Sequence, residues 1–120
     1  MYSNYKELLV WQKAFLLSVE IYKATKSFPD EEKFGLVSQM RRCAISISSN
    51  IAEGVGRTSS KEFVNFLSIA KGSCNELESQ LLISRELKFI GDDVFEQLQA
   101  LCLEILKMTS KLILNLKSKL

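Results

Sequence analysis

The sequence predicts an all-α protein: an up-down-up-down antiparallel four-helix bundle, with residues 1–120 forming one domain. Three observations predict it. One proline and five glycines punctuate 120 residues, too few turn signals for a β-sandwich of this length. Hydrophobic residues make up 47% of the chain, enough for a single core at this size. Four segments repeat apolar residues at steps of three and four, the period of a helix that buries one face. Short connections between such segments make sequential neighbours antiparallel.

The first helix is expected from about Tyr5 to Ser27, with Leu8, Trp11, Phe15, Val19 and Tyr22 as its main stripe. Pro29 stops it, because the residue before a proline is pushed out of helical geometry. Asp30, Glu31 and Glu32 stand where acids favour a helix start. In the second helix Val37, Met40, Ala44, Ile47, Ile51 and Val55 step by three and four. That spacing outweighs the short strand-like alternation from Ile45 to Ser48. Gly56 is the expected site of a left-handed C-terminal turn. Ser59 with Glu62 forms a capping-box pattern for a third helix on the stripe Phe63, Leu67, Ala70, Cys74, Leu77 and Leu81, ending near Lys88. Gly91 breaks the chain, Asp92 is the expected N-cap, and the fourth helix follows on Val94, Leu98, Leu101, Ile105, Met108 and Leu112.

The apolar residues outnumber what one bundle needs. Leu9, Leu16, Leu17 and Ile21 lie off the first stripe, and Cys102, Leu103, Ile113, Leu114 and Leu116 off the fourth. A surface helix of a monomer shows a polar back, so these flanks point to self-association. Charge is patchy although the net charge is only +2. Lys33 to Arg57 holds four basic residues and one acid, a net of +3, whereas Glu76 to Glu104 holds seven acids and two bases, a net of −5.

Catalytic patterns are poorly supported. With no histidine, the commonest general base and the usual triads are absent, as is the Glu-x-x-His pattern of di-iron bundles. Cys43, Cys74 and Cys102 are odd in number and unclustered, which suits buried free thiols rather than a zinc site. Gly54-Val55-Gly56 lacks the lysine and spacing of a phosphate loop. Neither a cofactor nor a metal is expected. No run approaches the roughly 18 apolar residues of a membrane span, and no signal pattern opens the chain, so a cytoplasmic location without membrane contact is expected.

The stretch from Arg41 to Arg57 carries the site candidates. Arg42, Ser46, Ser49 or Asn50, Glu53 and Arg57 share one stripe of the second helix. Serine and asparagine compete for backbone hydrogen bonds inside helices, so close packing or a polar network must offset their cost. The expected network joins Asn50, Glu53 and Arg57 to Ser73, Glu76 and Glu78 of the third helix. Small Ser46, Ser49, Ala52 and Gly54 would allow close approach, with Ala70-Lys71-Gly72-Ser73 opposite. The functional candidates are Arg41, Arg42, Arg57 and Lys61 as phosphate contacts, since the planar guanidinium fork grips phosphate oxygens in pairs.

Leu9-Val10-Trp11-Gln12-Lys13-Ala14, Phe28-Pro29, Phe34-Gly35-Leu36, Ser38-Gln39-Met40-Arg41-Arg42-Cys43-Ala44, Asn50-Ile51-Ala52-Glu53-Gly54, Arg57, Glu62-Phe63, Phe66-Leu67, Gly72-Ser73 and Glu76-Leu77-Glu78 occur in this order. On these residues the chain resembles the small bundle proteins encoded in intervening sequences of bacterial 23S ribosomal RNA genes, a family also labelled ribosomal-protein-like. Cys43 departs from the pattern, which usually has alanine there. The resemblance implies a left-handed bundle assembling into a ring, a homopentamer. A related group, the accessory proteins of diversity-generating retroelements, implies basic surfaces that bind nucleic acid and a reverse transcriptase. The expected function is therefore a non-enzymatic homo-oligomer that binds RNA or DNA. The alternative is a protein-interaction scaffold, for instance for a polymerase or reverse transcriptase.

Overall fold

The computed structural model describes residues 4–120, and among them the regular structure is entirely helical. A 3₁₀ turn over Tyr5–Glu7 leads into α1, Leu9–Thr25. Asn4 caps that turn, its side chain accepting from the Lys6 N–H at 3.0 Å. A second 3₁₀ turn at Asp30–Glu32 precedes α2, Leu36–Val55, and α3 and α4 span Ser60–Glu86 and Asp92–Lys117. The first two helices thus begin later than the sequence suggests, because 3₁₀ turns occupy their predicted starts. Glu32 still serves α2: its carboxylate accepts from the Leu36 N–H at 3.3 Å.

The helices form a closed square in which the backbone of each runs close to two neighbours and not to its diagonal. The whole measures 46 × 22 × 20 Å. Side-chain links run in antiparallel register on every side: Ser18 to Ala44, Ser46 to Ser73, Cys74 to Cys102, and Lys13 to Glu104. The α2–α3 seam is the most extensive and α1–α4 the least.

The α3 stripe is buried along its whole length, as its spacing predicts, and so are Val37, Met40, Ala44, Ile47 and Ile51 of α2. Helix α1 differs. Its core face is Val10, Ala14, Leu17, Ile21 and Thr25, while Phe15, Val19 and Tyr22 lie outside. Both faces satisfy helical spacing. The smaller one wins because Ala14 opposes Ala44 closely enough for Ser18 Oγ to reach the Ala44 carbonyl at 3.1 Å, and rings between the helices would hold them apart. Helix α4 is rotated similarly: Phe95, Leu98, Cys102, Ile105, Thr109 and Leu116 face the core, Leu101, Met108 and Leu112 are half-buried, and Val94 is exposed.

Three local expectations also change. Gly56 is right-handed, at φ −73°, and the left-handed residue is Lys88, at φ 62°. Gly91, not Asp92, is the N-cap of α4, which leaves Asp92 and Asp93 in the first turn, where the helix dipole favours acids. Gly72 has open space around it, so the close approach falls instead at Gly54, where a Cβ would sit 2.8 Å from the Phe63 ring and 3.0 Å from Phe66 Cβ. The Ser59 cap is as expected, with Oγ accepting from the Glu62 N–H at 3.1 Å.

Candidate nucleic-acid interface

Helix α2 carries Arg41, Arg42 and, just past its end, Arg57. It separates them: at 1.5 Å per residue Arg57 lies about 24 Å along the axis from Arg41. The four predicted cations therefore form two spots, at opposite ends of the bundle, and not one patch.

At the first spot Arg41 is partly committed to the fold. Its Nε donates to Thr25 Oγ1 at 2.9 Å, a terminal nitrogen donates to the Tyr22 carbonyl at 3.3 Å, and the guanidinium stacks 4.5 Å from the Tyr22 ring centre. Arg42 is exposed and has no ion pair or hydrogen bond among the described residues. Adjacent residues on a helix point about 100° apart, so Arg41 faces α1 while Arg42 lines a polar cleft against Ser46, Ser73 and Glu76. At the second spot Arg57 pairs with Glu53 on its own helical turn at 2.7 Å and lies over the Phe66 ring at 4.8 Å. Lys61 is exposed in the first turn of α3.

The expected network resolves into separate pieces. Ser46 is the hub: its Oγ is 2.9 Å from Ser73 Oγ and accepts from Asn50 Nδ2 at 3.0 Å. Asn50 also donates to the Ser46 carbonyl, which answers the cost of asparagine inside a helix. Glu53 stays with Arg57. Glu76 is exposed and accepts from Gln80 at 3.4 Å. Glu78 turns to the other side and accepts from Gln99 of α4 at 3.2 Å. Glu76 and Glu78 are two residues apart and so diverge by about 200° on the helix, which is why one network cannot hold both.

The cysteines are buried free thiols. Burial, with the nearby Glu76 carboxylate second, pushes Cys43 up to about 12. The hydrogen bond with the Cys74 thiol, then burial, raises Cys102. Thiols held protonated at neutral pH make poor nucleophiles.

Sequence reasoning did not single out the groove between the end of α1 and the start of α2. Tyr22, Lys33, Phe34, Arg41, Arg42 and Ile45 line about 470 Å³ there, and no lining residue is acidic. Its signal in the sequence is Phe34, an aromatic beside a lysine in a connecting segment.

Fold and charge placement together define the class: an antiparallel helical bundle with apolar flanks and a cationic edge. Residues 6–111 match the family of 23S rRNA-intervening sequence proteins, and the chain belongs to that family. It is also similar to a protein with unknown function from the S23 ribosomal protein family of Bacteroides thetaiotaomicron VPI-5482, known from a 1.70 Å crystal structure. The identity is 29% over 88% of this chain and 98% of that one, with a TM-score of 0.82. A comparison with curated proteins finds no match. Among the described residues no helix is long and apolar enough to cross a membrane.

Proposed function

We propose that this chain is a non-enzymatic cytoplasmic protein that self-associates into a ring, a homopentamer, and binds RNA or DNA through the cationic edge of α1 and α2. The observation that carries the reading is the groove where three cations converge without an acid and Arg42 is left unpaired. Unpaired guanidinium groups suit phosphate oxygens, and a ring would repeat a weak contact several times along one strand. Arg57 is a weaker candidate, since Glu53 already partly neutralises it.

The test is a titration of labelled structured RNA across a series of salt concentrations. Each phosphate neutralised should add about −0.7 to −0.9 to the slope of log affinity against log salt. Converting Arg41 and Arg42 to alanine should lower affinity uniformly across sequences. Binding that ignores salt, or none at micromolar protein, sinks the reading.

The exposed apolar residues of α1 favour a second reading, a docking scaffold for a protein such as a polymerase or reverse transcriptase. Partner capture that survives loss of both arginines, with no nucleic-acid binding, would select it.

A further inference from the structure

We propose that the groove between α1 and α2 is a stacking site for unpaired bases, so that the nucleic acid it takes is single-stranded. This deepens the nucleic-acid reading above and rests on it.

Phe34 is 90% exposed. It stands between the 3₁₀ turn at Asp30–Glu32 and the first residue of α2, a short segment tied at both ends: the Lys33 N–H donates to the Asp30 carbonyl, and the Glu32 carboxylate accepts from the Leu36 N–H. A ring held in water on a fixed backbone is a surface awaiting a flat partner. Tyr22 forms the other wall, with the Arg41 guanidinium stacked 4.5 Å from its centre. Arginine planes and aromatic rings are the two side-chain surfaces on which unpaired bases stack.

Charge selects among flat or apolar occupants. Lys33 holds its ammonium 5.6 Å from the Phe34 ring centre, and Arg41 and Arg42 complete a cationic rim. Asp30 lines an adjoining depression with Lys33 and Arg41, and Glu76 a cleft with Arg42, but no acid lines the groove itself. A purely apolar helix placed here would add no counter-charge to three cations, whereas a nucleotide strand supplies one phosphate for each base it stacks. A duplex supplies the phosphates but keeps its base faces covered inside its own stack, so it can use the rim and not the rings.

The experiment compares a fluorescein-labelled oligothymidylate with a labelled duplex of the same length by anisotropy, at low and raised salt. The proposal expects tighter binding of the single strand. Phe34→Ala should weaken that binding about tenfold, within the range for loss of one stacked base, and leave the duplex affinity and the salt slope unchanged. Phe34→Trp should restore it. Arg42→Gln should instead reduce the slope, by about 0.7 for each copy engaged. The nearly bare Phe34 ring has little packing to lose, so these variants should fold, and circular dichroism checks that. A duplex bound as well as the single strand, or indifference to Phe34→Ala, overturns the stacking site while leaving nucleic-acid binding intact. Absence of binding to either probe and to structured RNA overturns both. If Phe34→Ala lowers the mass of the assembly in light scattering, the groove belongs to a second copy and the proposal falls.

Discussion

Thr109 is fully buried, and its hydroxyl has no partner among the described residues. A buried hydroxyl without a hydrogen bond costs about 1–3 kcal/mol, and valine has nearly the same shape without the polar atom. Thr109→Val should therefore raise stability by about 1 kcal/mol, read as a melting temperature higher by roughly 4 °C. A lower melting temperature would show that the hydroxyl is satisfied in solution. Arg41 and Arg42 make the opposite point. Adjacent in sequence and identical in chemistry, they differ in availability because one meets Thr25 and Tyr22 and the other meets solvent.

Lys88 shows what the connection between α3 and α4 costs. The Phe89 N–H reaches the Ser84 carbonyl at 2.9 Å, a Schellman-type closure that needs a left-handed residue between them. Phe89 then packs on Phe28, with ring centres 5.3 Å apart, which fixes the closure despite the unsuitable side chain. Lys88→Gly should stabilise the protein by about 0.5–1 kcal/mol, seen as a higher urea midpoint with an unchanged slope. The sequence predicts a left-handed residue at Gly56, closing α2, because glycine is the usual residue in that conformation, and marks none at the end of α3. The four helices, the α3 stripe and the Ser59 cap were legible because each is set by local spacing. The faces of α1 and α4 were not, because both helices carry two apolar faces; on α1 the choice depends on how closely Ala14 and Ala44 bring α2. The candidate site was legible as residues but not as a place. Distance along α2 parts Arg41 from Arg57, and the rotation of α3 parts Glu76 from Glu78. Tyr22 was read as core, so its role as a groove wall was hidden.

The bundle buries its square interior and still leaves Leu9, Phe15, Leu16 and Val19 outside on α1 and Leu103 and Leu114 outside on α4. Phe15 is 54% exposed, an uneconomical placement for a monomer unless something covers it. Light scattering should give a mass several times that of one chain, and Phe15→Glu with Leu16→Glu should reduce it to a single chain without loss of helix by circular dichroism. A wild-type protein already monomeric at working concentration would refute self-association. The antiparallel square also brings the start of α1 beside the last turns of α4. Leu9 and Val10 share a depression with Lys111, Leu112 and Asn115, at the pole that holds the turn between α2 and α3. Tyr22 and Phe34 belong to the opposite pole. A fluorophore placed on the first turn of α1 or the last turn of α4 would therefore sit clear of the aromatic groove.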